Sequence, residues 1–202
     1  MQPLVIDLTG KKIIIAGGGR IAFRKAKVLD AEQADITFIA PDFSKDVIGL
    51  ANQKGYKLVQ REAKLEDFKD AFLSILATNN REINQLLAQS LEPAQLVCVV
   101  DESGEGNVSF PATVRRGHLQ VAVTSNGASP KLTRKLKKEL EEQFNESWAE
   151  YTAFLAQCRE LIKKLSLSFE EKNQLLAELL DDRYRVHEEA REQKWNSLKS
   201  LH

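Results

Sequence analysis

Short apolar runs alternate with amphipathic stretches through the first half of the chain. Lys12-Ile13-Ile14-Ile15-Ala16 is short, β-branched and closed by glycine, which predicts a strand buried on both faces. Apolar residues at Ile21, Ala22, Ala26, Val28 and Leu29 then recur at helical spacing and predict a helix over 20–30. The runs at 35–40, 56–59, 72–77 and 96–100 predict further strands, with helices over 47–54 and 81–91 between them. Strand and helix alternating in this way predict an α/β fold with a doubly wound parallel sheet.

The pattern changes after residue 101. A glycine-containing loop over 102–107 leads to Val108-Ser109-Phe110-Pro111, and 119–124 predicts one more strand. Ser129 followed by Pro130 predicts an N-cap and first helical turn, opening a helix that runs to about Phe144. Beyond Ser147 no strand pattern remains. The tail predicts about three helices, one opened by the capping box Ser168-Phe169-Glu170-Glu171. The Lys, Arg and Glu runs of that tail are expected to be solvated helix faces.

Composition narrows the function classes. Lys+Arg and Asp+Glu both number 29, so a global basic excess for nucleic acid is absent. A 43% hydrophobic and 29% charged chain is an ordinary globular composition. Met1 to Asp7 lacks a positive start and a long apolar run, and nothing approaches the ~20 apolar residues of a membrane span, so a cytoplasmic location is expected. Cys98 and Cys158 sit in unrelated contexts, and His118, His187 and His202 cluster with neither, so neither a disulfide nor a bound metal is expected. His118, beside Gly117, is expected in a turn.

The chemistry concentrates in Gly17-Gly18-Gly19-Arg20-Ile21-Ala22, which fits G-x-G-x-x-G/A with Ala22 in the third position. Gly17 permits the tight turn, Gly19 lets backbone amides approach a pyrophosphate, and Ala22 lets helix and strand pack closely. The match follows a strand and opens a helix, the context of a Rossmann dinucleotide site. Phosphates would rest on that helix's N-terminus. After the second strand, Pro41-Asp42 brings a carboxylate that either grips the adenosine ribose or caps the next helix. An acid there, with no arginine at the strand end itself, favours NAD over NADP. Thr78 and Asn79, after the fourth strand, fall on the edge where a nicotinamide half is expected.

Several short motifs appear in order: Leu8-Thr9-Gly10-Lys11, the glycine loop with Arg24-Lys25, Ala77-Thr78-Asn79, Val99-Val100-Asp101, Phe110-Pro111-Ala112, Arg116-Gly117 and Thr124-Ser125-Asn126-Gly127-Ala128-Ser129-Pro130. Together they resemble the precorrin-2 dehydrogenase family, which includes the N-terminal half of bacterial sirohaem synthases and stand-alone bacillus-type enzymes. The match is close over about 3–140, and the tail, around Glu146-Ser147-Trp148 and Tyr151-Thr152, is like the stand-alone enzymes. The resemblance implies NAD-dependent oxidation of precorrin-2 to sirohydrochlorin, in some members with iron insertion as well. It implies a homodimer, with domains over 1–112 (cofactor), 113–146 (dimerisation) and 147–202 (helical). Ser125 falls on a position phosphorylated in the fused enzymes.

By that resemblance Asp101 is the candidate proton acceptor, a carboxylate at a strand's C-terminal end; its alternative is a loop or helix cap. Gly17, Gly18, Gly19, Arg20, Ile21, Pro41, Asp42, Thr78 and Asn79 are the candidate cofactor residues. The substrate carries eight carboxylates, so Arg115, Arg116, Ser125, Lys131 and Arg134 are candidate substrate contacts. The rival from another class is an NAD-sensing regulatory module, which would need neither a cleft carboxylate nor an anion-binding rim.

Overall fold

The computed structural model describes residues 1–100 and 105–201. They form two compact units, Met1–Phe110 and Pro111–His202. Among the described residues no helix is long and apolar enough to cross a membrane.

The first unit is built on β1 (Lys12–Ala16), β2 (Asp35–Ala40), β3 (Lys57–Gln60), β4 (Leu73–Leu76) and β5 (Leu96–Val99). They pair in parallel in the order β3-β2-β1-β4-β5, with Ile15 beside Phe38 on one side and Ile75 on the other. Successive side chains of a strand point to opposite faces. Ile13 and Ile15 accordingly join Phe38, Ile36 and Ala22 in one apolar cluster, while Ile14 and Ala16 join Ile39, Leu76 and Leu87 in the other. Both faces are covered, which is why these strands read as unbroken apolar runs. Each fully buried isoleucine or phenylalanine contributes about 1.5–3 kcal/mol.

Three helices connect the strands: α1 (Arg20–Leu29), α2 (Lys45–Lys54) and α3 (Arg81–Ser90). The expected strands and helices are all present, with ends shifted by a residue or two. Helix α2 starts before Val47 because the Ser44 hydroxyl accepts from the Val47 amide and caps it. Val28, counted with the apolar face of α1, is 47% exposed.

The second unit begins with an antiparallel hairpin, β6 (Ala112–Arg116) and β7 (Leu119–Val123). It turns at Gly117, in the left-handed region at φ +57°, and His118 lies in that turn. Strand β6 was not expected; Ala-Thr-Val-Arg-Arg has little apolar alternation, and only pairing with β7 makes it a strand. The helices follow as α4 (Pro130–Gln143), α5 (Ser147–Lys164), α6 (Phe169–Glu178), the single-turn α7 (Arg183–Val186) and α8 (Glu188–Lys199). The local caps form as read: the Ser129 hydroxyl accepts from the Leu132 amide, and Ser168 and Glu171 make the reciprocal box. Tyr151, Phe154, Cys158, Ile162, Leu179, Tyr184 and Leu198 close a separate core. Cys98 and Cys158 are buried free thiols, and burial pushes the Cys158 thiol up to about 11.

Candidate functional site

The glycine loop turns from β1 into α1 at the C-terminal edge of the sheet. Gly17 has φ +137°, a conformation essentially restricted to glycine. A β-carbon there would also collide with the Ala77 carbonyl, its carbon only 2.8 Å away. At Gly18 a β-carbon would collide with the Asp42 carbonyl and stand 2.9 Å from the Phe43 ring. The protein's own packing therefore requires both glycines.

Gly19 is different. Its backbone is extended, φ −95° and ψ −168°, and a β-carbon would meet nothing within 4 Å. Nothing in the fold demands glycine there. It is the N-cap of α1, with no side-chain cap and no acid in the first turn. The amides of that turn thus keep their donor capacity toward the open side. A glycine the fold does not need, beside free amides at a dipole's positive end, fits a backbone that an anionic group must approach.

Two cavities open on this edge, next to each other across the segment that follows β4. The larger, about 570 Å³, is lined by the loop, Pro41 and Asp42 after β2, Glu62 after β3, and 77–80 after β4. The smaller, about 350 Å³, is lined by Ile21, Ala77, Thr78, Asn79, Arg81, Asn84, Val99 and Val100. Ala77, Thr78 and Asn79 belong to both walls. Crevices at such a strand-order switch are where open α/β sheets bind dinucleotides.

Of the candidate cofactor residues, Gly17, Gly18, Gly19, Ile21, Pro41, Asp42, Thr78 and Asn79 line one cavity or both. Arg20 is exposed at the first position of α1 and lines neither. The choice left open at Asp42 is resolved against capping, since Ser44 caps α2. Asp42 and Glu62 put two carboxylates on the larger cavity. The neighbouring Arg61 is turned away, its guanidinium held by both Asp67 oxygens at 2.6 and 2.7 Å. That contact keeps the Asp67 carboxyl below the usual carboxylate range.

Asp101 lies outside the described residues; Val100, the residue before it, lines the smaller cavity. The candidate substrate residues belong to the second unit. Arg115 and Arg116 are on β6, and Arg116 Nε stands 3.2 Å from a Glu146 carboxylate oxygen without hydrogen-bond geometry. The Ser125 hydroxyl accepts from the Ser129 amide and the Thr133 hydroxyl. Lys131 and Arg134 are exposed on α4.

Sequence reasoning missed Asn84 and Glu62. Asn84 carried a signal: it falls on the buried stripe of α3 with Leu87, in line with Leu91 just past the helix end, where an amide needs a partner. Glu62 carried none beyond following a strand whose C-terminal end shares the edge.

Residues 4–112 match the family described as putative NAD(P)-binding, 116–143 the sirohaem biosynthesis protein central family, and 148–194 the SirC C-terminal domain. A protein from Priestia megaterium named precorrin-2 dehydrogenase is 35% identical over 92% of this chain and 92% of its own. One of the same name from Bacillus subtilis is 43% identical over 70% of this chain and 87% of its own. A solved structure titled SirC, precorrin-2 dehydrogenase, superimposes with a TM-score of 0.87 at 33% identity, covering 99% of this chain and 100% of that one.

Proposed function

The chain belongs to the precorrin-2 dehydrogenase family, and from that premise we propose that it oxidises precorrin-2 to sirohydrochlorin in sirohaem biosynthesis. The observation that carries this reading is Gly19, the one loop glycine whose side-chain direction is open, in the wall of the larger cavity on the sheet's C-terminal edge. When bound, a nicotinamide dinucleotide supplies the hydride acceptor. Oxidation would take a hydride to that acceptor and a proton to a base of the chain, which accounts for the two hydrogens removed.

The chain's own groups would do the positioning. Gly19 and the first-turn amides of α1 would hold the pyrophosphate and Asp42 the adenosine ribose, while Ile21 and Asn79 border the smaller cavity. Asp42 and Glu62 disfavour a 2′-phosphate, so NAD is the cofactor we assign over NADP. Asp101 is assigned the proton acceptor, next in sequence to cavity-lining Val100.

For the substrate's carboxylates we assign Arg115, Arg116, Ser125, Lys131 and Arg134. Helix α4 supports this by its charge order: Lys131, Arg134 and Lys135 lie toward the N-terminus and Glu139, Glu141 and Glu142 toward the C-terminus. That order opposes the helix dipole, so stability alone does not account for it. Lys135, Lys137 and Lys138 pair with glutamates four residues on, whereas Lys131 and Arg134 precede that ladder. We further assign a cytoplasmic homodimer joined through residues 113–146. Helix α4 has no buried residue in the single chain, and its Leu132 is 48% exposed.

The test is to mix purified protein with precorrin-2 and NAD and to follow both the tetrapyrrole spectrum and NADH formation. Turnover supports the reading; nucleotide binding with an unchanged tetrapyrrole spectrum would leave the NAD-sensing module instead. Asp101→Ala should abolish most turnover and leave NAD affinity near wild type. Unchanged turnover would remove Asp101 from the mechanism.

A further inference from the structure

Asn84 is 5% exposed within α3, and with Ser74 it is one of two buried polar side chains among the described residues. A buried amide is costly unless bonded, so its partners show what it is for. All three go to one residue. The Thr78 backbone amide donates to Asn84 Oδ1 at 3.2 Å, the Thr78 hydroxyl donates to the same oxygen at 2.6 Å, and Asn84 Nδ2 donates to the Thr78 carbonyl at 3.2 Å. The Asn80 amide in turn donates to the Thr78 hydroxyl at 3.2 Å.

The polar groups of Thr78 are therefore turned toward α3. Its neighbour Asn79 has an exposed side chain and lines both cavities. The segment Ala77-Thr78-Asn79 is the wall the two cavities share, and Asn84 itself lines only the smaller of them. Among the described residues no hydrogen bond joins the Asn84 side chain to the glycine loop, and the cap of α3 is a separate bond, from the Ile83 amide to Asn80 Oδ1.

We propose that Asn84 is a positioning residue that locks Thr78 and thereby holds Asn79 and the shared wall in register for the nicotinamide half of the dinucleotide. The proposal rests on the dinucleotide reading above. Asparagine suits the task chemically, since the loop needs an acceptor for two donors and a donor for one carbonyl from one compact side chain. Leucine offers neither and an ionised aspartate only the acceptor.

The experiment compares wild type, Asn84→Leu and Asn84→Asp for binding of ADP-ribose, binding of NAD, and turnover of precorrin-2. ADP-ribose lacks the nicotinamide ring, so it reports the glycine-loop end alone. In Asn84→Leu, ADP-ribose affinity is expected within about twofold of wild type while kcat falls roughly tenfold to a hundredfold, the penalty of a misplaced reacting group. In Asn84→Asp, turnover should recover toward wild type as pH falls through the new carboxyl's pKa, because the protonated acid can again donate to the Thr78 carbonyl. Wild type lacks that recovery, and this arm stands even if the leucine variant fails to fold. Parallel loss of ADP-ribose and NAD binding, or no loss of turnover, overturns the assignment. A wild-type chain that binds neither ligand overturns the dinucleotide reading itself, a distinct result.

Discussion

Alanine at Gly17 and alanine at Gly19 should fail in opposite ways. At Gly17 the new side chain would occupy φ +137° and press on the Ala77 carbonyl. Backbone strain of that kind costs about 1–3 kcal/mol, and overpacking against main chain about as much again. The sum, roughly 2–6 kcal/mol, is a large share of the 5–15 kcal/mol that holds a domain together. At about 4 °C or more per kcal/mol for a unit of this size, the melting temperature should drop by roughly 10 °C or more.

At Gly19 the backbone is already extended and the β-carbon enters open space. Reduced freedom of the unfolded chain stabilises by about 0.4–1 kcal/mol, and the poorer N-cap offsets a similar amount. Stability should therefore stay near wild type. NAD affinity should not, because a methyl between amide and pyrophosphate removes at least one charge-assisted hydrogen bond. At about 1.5–3 kcal/mol per such bond, the dissociation constant should rise roughly tenfold to a hundredfold. Circular-dichroism melts of the free proteins and calorimetric titration with NAD measure the two effects separately. If Gly19→Ala binds NAD as wild type does while melting normally, Gly19 is not where the pyrophosphate lies, and the argument from its open direction fails.

Two further outcomes follow from the charges. Glu62→Gln together with Asp42→Asn should raise kcat/KM for NADP relative to NAD by about tenfold at low salt, and by less at high ionic strength, where exposed carboxylates are screened; a ratio that ignores both substitution and salt would remove these acids from cofactor choice. At alkaline pH the buried Cys158 thiol, at about 11 by burial, and the Tyr56 hydroxyl, at about 12 by burial and then by its bond to Asp30, both favour their protonated forms in the folded state. Their stabilisation is complete below the unfolded pKa values, about 8.5 and 10, and is lost as pH rises through the folded ones. Thermal melts should fall from about pH 9 upward, less steeply in Cys158→Ala, and an identical slope in that variant would contradict the assignment of the thiol.

What the chain's order of residues determined by itself was whatever depends on near neighbours. Ile13-Ile14-Ile15, short, β-branched and closed by glycine, reads as a strand covered on both faces, Ser129-Pro130 and Ser168 with Glu171 satisfy amides within their own turns, and the glycine loop announces a strand-to-helix turn. Tertiary structure decided what depends on residues far apart in the chain. Strand β6 exists because β7 pairs with it. Asp42 lines a cavity, and Ser44 rather than Asp42 caps α2. The Ala77 and Asp42 carbonyls crowd Gly17 and Gly18, Gly17 at a positive φ as well, and leave Gly19 open. Asn84 matters because a helix and a strand end come together at Thr78. Local hydrogen bonding and periodicity are written in adjacent residues, whereas steric demand and burial arise only once the sheet has brought distant carbonyls and amides within reach.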